Sequence, residues 1–355
     1  MRFLYLIPSL APSGASRQLE FLAQHQHRNG HQVEVCQFDE ESSSAEHLRQ
    51  QGMRVHSLVW KHAFDPLPLW HLHGLLRDLR PELIHVWHTS ILRTLAVVGR
   101  KYLGRVVLSQ PFSWRQNLGF STVDRWLLRR VARVVVQSEV EARLGMDQGM
   151  FLDKIAVIPP GAVGQAFQAD AKINWAAWPR KIVCVGPFER HKGHRDAIWA
   201  FDILRHIFED AHLVFAGDGS DRPGLEKMAR DAGCDHLTHF VDPAEGVADC
   251  LAQADICWIP SRRGGGGQTT LEAMLASIPV VACQVPSLHG LIIDGESGFI
   301  VPPGDKVAIA RRTRQLFLDP DLARRLGSQA RQRVLRHFSA PLFVERCRQT
   351  YQEVA

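Results

Sequence analysis

The sequence predicts an α/β protein made of two parallel-sheet domains facing each other across a cleft. Three observations carry that reading. Short apolar runs alternate with amphipathic segments along most of the chain, a stretch without any period interrupts them near the middle, and glycine-rich turns follow several of the apolar runs. At about 150 residues per domain, a chain of 355 residues divides in two, and each half can bury a core of its own.

In the first half the expected strands are Arg2–Ile7, Gln32–Cys36, Arg54–Leu58, Leu83–Val86, Arg105–Ser109, Val134–Gln137 and Ile155–Ile158. Helical segments separate them, and the first, Arg17–Arg28, runs into Asn29-Gly30, a C-terminal stop signal. Pro159 to Pro179 mixes prolines, glycines and small residues without a period and reads as a linker. The second series of strands is Lys181–Val185, His212–Ala216, Leu237–Val241, Ile256–Ile259 and Pro279–Ala282. From Asp305 the pattern is helical, broken at Asp319-Pro320 and at Ser339-Ala340-Pro341.

Composition narrows the class. Apolar residues make up 45% and charged residues 22%, ordinary values for a globular protein. A net charge of +5, from 42 Lys+Arg against 37 Asp+Glu, suits an anionic small molecule or a membrane surface and is too weak to argue for nucleic acid. Seven cysteines lie scattered, with no CxxC pair, as expected of reduced thiols in a cytoplasmic protein. The opening MRFLYLIPSL has one basic residue before a short apolar run and reads as a first strand rather than a leader. No run approaches the roughly 20 apolar residues that span a bilayer.

The candidate chemistry sits in the turns after strands, where open α/β sheets bind ligands. Pro260 to Ala282, PSRRGGGGQTTLEAMLASIPVVA, joins a strand, four glycines, a helix and a second strand. Glycines let backbone amides approach an anion, and a helix N-terminus adds roughly half a positive charge, so the unit is a phosphate cradle. Gly186-Pro187-Phe188-Glu189-Arg190-His191-Lys192-Gly193 puts an ammonium just ahead of the next helix, as an anion ligand or a solvated surface lysine. Ala216-Gly217-Asp218-Gly219 is either a plain turn or a close approach to a ligand, and its continuation lacks the spacing of a dinucleotide fingerprint. Pro12-Ser13-Gly14-Ala15-Ser16-Arg17 is a tight turn or an anion contact.

In this order and spacing the motifs resemble the family-4 glycosyltransferases of the GT-B fold, over nearly the whole chain. MRFLYLIPSLAPSGASRQLEFLAQHQHRNGHQVEV is similar to the family's first strand, glycine loop and helix; VGPFERHKGH resembles its lysine motif; FAGDGSDRPGLEKMA resembles its nucleotide-side loop; and DGESGFIVPPGD matches the strand and turn that follow the diphosphate loop. The resemblance implies two Rossmann-like domains, at 1–170 and 171–338, with a C-terminal helix at 339–355 crossing back to the first. It implies transfer of a sugar from a nucleotide diphosphate, a UDP- or GDP-sugar, to a glycan or lipid-linked acceptor, with retention and without a metal or other cofactor.

Carried over by position, Lys192 holds the diphosphate and Glu272 the ribose hydroxyls. The glycines Gly264, Gly265 and Gly266 shape the loop, and the amides of Gly267, Gln268, Thr269 and Thr270 cap the phosphates. Gly217 and Gly219 pass close to the base, and Gly14, beside Ser13, leaves room near the phosphates. For Glu272 the alternative is a carboxylate that only stabilises its helix.

Three positions depart from the family's pattern. Eight residues before Glu272, where a glutamate near the donor sugar belongs, stands Gly264. Five residues before Lys192 an arginine is replaced by Pro187, with Arg190, Arg262 and Arg263 as neighbouring replacement charges. After the fifth strand the family's histidine is absent from Leu108-Ser109-Gln110-Pro111-Phe112, which leaves Gln110, and His88 or His85 at the end of the preceding strand, as first-domain candidates. For either histidine a buried or rim role competes with ligand contact. A transferase that positions its sugar differently, a degenerate relative that binds nucleotide without transfer, and a nucleotide-sugar epimerase are the readings these departures leave open.

Arg125-Trp126-Leu127-Leu128-Arg129-Arg130 with Arg133 reads as an ordinary solvated helix or as a basic face touching anionic lipid at the inner membrane surface. The arginines between Arg311 and Arg336 read as a solvated helical face.

Overall fold

The computed structural model describes residues 1–11, 13–62, 65–109, 121–163, 178–242 and 247–354. The chain divides into two units, Met1–Pro160 with Pro341–Ala355, and Gly161–Ala340.

In the first unit β1 (Arg2–Ile7), β2 (Gln32–Gln37), β3 (Arg54–Ser57), β4 (Leu83–Trp87), β5 (Val106–Ser109), β6 (Arg133–Val136) and β7 (Ile155–Val157) form one sheet. Its order is β3-β2-β1-β4-β5-β6-β7, parallel throughout. Between strands run α1 (Gly14–Arg28), α2 (Ser43–Gln50), α3 (Leu67–Leu79), α4 (Thr89–Gly99), α5 (Thr122–Leu128) and α6 (Glu139–Asp147). Both faces of the sheet are covered, which is why its strands are nearly continuous apolar runs. Along β1, Leu4 and Leu6 enter one core cluster while Phe3, Tyr5 and Ile7 enter the other.

The second unit holds β8 (Arg180–Val185), β9 (Ala211–Ala216), β10 (Thr238–Val241), β11 (Ile256–Ile259), β12 (Val280–Cys283) and β13 (Phe299–Val301). They form a parallel sheet ordered β10-β9-β8-β11-β12-β13. Its helices are α7 (His194–Arg205), α8 (Arg222–Asp231), α9 (Val247–Gln253), α10 (Gly267–Leu275), α11 (Lys306–Leu318) and α12 (Pro320–His337). The last helix, α13 (Ala340–Gln352), returns to the first unit, where Phe343, Val344, Cys347 and Tyr351 join the cluster of Phe3 and Tyr5.

Local chemistry explains where elements begin and end. α1 starts at Gly14, ahead of the expected Arg17, because Ser13 and Ser16 form a reciprocal capping box. It ends as expected at Asn29, with Gly30 at a φ of +78°. Asp305 and Asp319 cap α11 and α12, so the break at Asp319-Pro320 is one helix ending where the next begins. All seven cysteines are buried, and none forms a disulfide among the described residues. No helix among the described residues is long and apolar enough to cross a membrane.

Candidate functional site

In each sheet the strand order reverses once, between β1 and β4 and between β8 and β11, and the carboxyl ends beside such a point form a natural crevice. In the second unit the loop after β8 carries Lys192 and the loop after β11 carries the four glycines.

Backbone packing holds these loops together, and glycine is what permits it. A Cβ at Gly193 would stand 1.9 Å from the Pro260 carbonyl oxygen, which fastens the lysine loop to the start of the glycine loop. The same contact recurs at Gly217, whose added Cβ would lie 2.1 Å from the Gly186 oxygen. Phe188, fully buried, donates its amide to Asp218 at 2.8 Å and accepts from the Asp221 amide at 3.0 Å, pinning the lysine loop to the Gly217–Gly219 turn.

Gly264, Gly265 and Gly266 have φ values of +150°, +79° and +83° and carry the chain into α10. A Cβ at Gly265 would stand only 2.3 Å from Lys192 Nζ, so the ammonium lies directly against this glycine. Lys192 Nζ makes no hydrogen bond or ion pair among the described residues, and burial holds its pKa below the usual lysine range, with Glu189 opposing the shift.

α10 begins at Gly267, and the first turn of a helix leaves its amides without partners inside the helix. The Thr270 amide is not one of these, since it donates to Gly266 at 2.8 Å in the first intrahelical bond. The amides ahead of that bond are those of Gly267, Gln268 and Thr269. Thr270 still presents a buried Oγ1 without a hydrogen-bond partner. Glu272, 4% exposed, accepts from Gln268 Nε2 at 2.9 Å, so its carboxylate leans back toward the start of the helix.

The three arginines differ. Arg262 is bound to Asp196, Nε to Oδ2 at 2.5 Å and Nη2 to Oδ1 at 2.7 Å, so its charge is neutralised by a buried carboxylate. Arg190 and Arg263 are exposed. His191 stands 3.1 Å from Glu189, and its pKa is lowered by burial and then by Lys192, with a smaller push from Arg263.

Two second-unit residues here escape sequence reasoning. Ser287 donates from Oγ to the Gly265 carbonyl at 3.2 Å, across a separation no motif links. His194, first residue of α7, is buried edge-on against Phe188 and Phe215, has an unpartnered Nδ1, and is held by burial at a pKa of about 3.

In the first unit, Ser13 Oγ accepts from the Ser16 amide at 3.1 Å and Gly14 opens α1. His88 caps α4 at an unusual φ of +105°, its Nδ1 accepting from the Ser90 amide at 3.2 Å. Backbone strain of this kind concentrates at functional sites. His85 is a core side chain bound at both ring nitrogens. Gln110 lies outside the described residues.

The basic face also differs from the sequence reading. α5 ends at Leu128, before Arg129 and Arg130, and Arg133 pairs with Glu353 at 3.0 Å. Trp126 is instead flanked by Arg130 and Arg100, with guanidinium carbons 3.8 and 4.7 Å from its ring. Arg129 lies over Phe151, which is exposed beside Leu152.

Comparison with known proteins follows the same division. Residues 12–162 match the family described as Glycosyltransferase Family 4, and residues 167–333 match Glycosyl transferases group 1. EpsD of Bacillus subtilis is 32% identical over 161 residues, covering 45% of this chain and 42% of that protein. Glycogen synthase of Mycobacterium tuberculosis is 32% identical over 220 residues, covering 61% of this chain and 53% of that protein. The chain thus spans about half the length of the curated relatives it matches. HepE of Anabaena, solved in complex with UDP and glucose, superposes with a TM-score of 0.84 at 17% identity over 99% of each chain, a likeness of fold.

Proposed function

The chain belongs to the family-4 glycosyltransferases of the GT-B fold, and from that we propose that it moves a sugar from a UDP- or GDP-linked donor to a glycan or lipid-linked acceptor with retention of configuration. The observation that carries the donor assignment is Lys192, partly desolvated, with no hydrogen bond or ion pair at Nζ among the described residues, and seated against Gly265 just ahead of the first turn of α10. A half-buried ammonium that has lost part of its hydration gains from an anionic partner, and a diphosphate supplies one. UDP and UDP-glucose complexes of the structurally similar HepE support the same donor class.

In the reaction the bond between the sugar's anomeric carbon and the diphosphate oxygen breaks, and the acceptor hydroxyl oxygen bonds to that carbon on the same face, its proton passing to the departing diphosphate oxygen. Negative charge develops on the departing diphosphate, where Lys192 and the amides of Gly267, Gln268 and Thr269 stabilise it. Glu272 binds the ribose hydroxyls. Gly217 and Gly219, packed against the backbone of Gly186 and Phe188, hold the turn that lies beside the base.

A thermal-shift panel of UDP, GDP, ADP and their common sugars tests this. One nucleotide should stabilise the protein, and Lys192→Ala should abolish that response; silence across the panel would overturn the donor assignment. Gly264 and Pro187, with Arg262 held by Asp196, favour a second reading in which nucleotide binds without transfer. Consumption of a nucleotide sugar in the presence of glycan or lipid acceptors decides between the two, and change of the sugar without any acceptor would mean epimerisation.

For the lipid-linked acceptor, the patch of Trp126, Phe151 and Leu152 among Arg100, Arg129 and Arg130 is the surface that would meet anionic headgroups. Flotation with phosphatidylglycerol vesicles at low salt should carry the protein, and Arg129→Glu with Arg130→Glu should release it. Failure of the unaltered protein to float would remove the membrane contact.

A further inference from the structure

The peptide that joins Gly265 to Gly266 has glycine on both sides. Neither residue carries a Cβ to decide which way the carbonyl turns, and glycine adopts positive and negative φ about equally well. A planar trans peptide carries its C=O and N–H on opposite edges, so a half-turn would put the Gly265 oxygen where the Gly266 hydrogen stands. A contact from outside the loop has to choose between the two orientations.

Ser287 is placed to make that choice. Its Oγ donates to the Gly265 carbonyl at 3.2 Å, and the residue is 1% exposed. It lies in the turn Pro286–Leu288 after β12, closed by the Leu288 amide on the Val285 carbonyl at 3.0 Å and the His289 amide on the Pro286 carbonyl at 3.2 Å. Val285 and Leu288 are buried in the same cluster as Leu271 and Met274 of α10. The hydroxyl therefore comes from a turn anchored in the core that also carries the helix.

With its carbonyl side held, Gly266 is left-handed at a φ of +83° and a ψ of −6°, and Gly267 after it is helical. A change of hand between successive residues gathers their N–H groups into one concavity, an anion-binding nest. Here those are the amides of Gly266, Gly267 and Gln268. The Gly266 amide makes no hydrogen bond among the described residues. Turned over, the same peptide would set a carbonyl oxygen at that rim, against the charge of a phosphate.

We infer that Ser287 is a positioning residue for the diphosphate: by holding the Gly265 carbonyl it turns the Gly266 amide into the cradle, where that amide donates to a phosphate oxygen of the nucleotide donor. The inference rests on the proposed function. Ser287 itself touches no substrate and acts through the peptide it orients.

Two measurements on the whole chain test it. Calorimetry should show Ser287→Ala binding UDP or GDP about three- to tenfold more weakly. Uridine and guanosine, followed by NMR titration, should bind the variant and the unaltered protein alike, because they carry no phosphate. Equal affinity of the two proteins for the diphosphates, or an equal loss for the nucleosides, would overturn the inference. In unaltered protein labelled with nitrogen-15 glycine, the Gly266 amide proton should move downfield on saturation with the diphosphate that binds; an unmoved Gly266 resonance would overturn it as well. If the unaltered protein binds neither UDP nor GDP, the nucleotide-sugar reading falls and takes this inference with it, whereas binding that does not depend on Ser287 removes the inference alone.

Discussion

Arg262 and Asp196 tie the glycine loop to the helix that follows the lysine loop, through two hydrogen bonds between a half-exposed guanidinium and a carboxylate that is 1% exposed. The Arg262 amide adds a bond to the His191 carbonyl at 2.9 Å. Lys192 and Gly265 are thus held in register by contacts on both sides of them. Arg262→Ala should lower stability by about 1–2 kcal/mol, less than for a fully buried pair because half of the arginine is in water and Lys306 stands 3.9 Å from Asp196. Denaturant unfolding checks this, and Arg262→Ala with Asp196→Ala should recover part of the loss, since no buried charge is then left unpaired.

Gly265→Ala should damage nucleotide binding more than folding. The added methyl would meet Lys192 Nζ at 2.3 Å, and the φ of +79° is one that only glycine adopts freely. Displacement of the ammonium should raise the Kd for UDP at least tenfold, while the melting temperature falls by only a few degrees. Retained affinity for UDP would show that Lys192 does not meet the nucleotide.

Restoring a glutamate by Gly264→Glu should not restore a family-like site. Gly264 is buried at a φ of +150°, outside the range that side-chain-bearing residues adopt. The substitution should lower the melting temperature and leave sugar turnover no higher than in the unaltered protein. Raised turnover would mean that the loop relaxes around the new carboxylate.

Stability should fall as pH falls below about 6.5, the ordinary histidine pKa. Burial depresses His85 and His194 each to about 3, so between that value and 6.5 the unfolded chain binds protons that the native protein does not. The contribution is fully present above the unfolded pKa and is lost on acidification, by about 1.4 kcal/mol per pH unit for each histidine. Melting curves from pH 7 to 5 should show this slope. His194→Phe, which keeps the aromatic contacts with Phe188 and Phe215, should flatten it.

Much of the architecture was legible because both of its signals are local. Strands buried on two faces are near-continuous apolar runs, and glycine, proline and capping residues mark the joints, so the Pro260–Ala282 unit and the Lys192 loop could be read as an anion site from residues adjacent in sequence. The order of the motifs then pointed to the family. Less was legible among the charges: Arg262 reads as a free cation until Asp196 of α7 closes on it.

The alternation of strand and helix, the glycine-lined turns and the departures at Gly264 and Pro187 all depend on residue type and near-neighbour spacing and can be read along the chain. Which polar groups meet is set by folding in three dimensions. It set Lys192 against Gly265, bound Arg262 to Asp196, and brought Tyr351 from the end of the chain onto His85 and Ser109. The physical reason is that a hydrogen bond or ion pair acts over about 3 Å, while its partners here lie tens to hundreds of positions apart. The packing of sheet and helix faces, which no local pattern encodes, sets that distance.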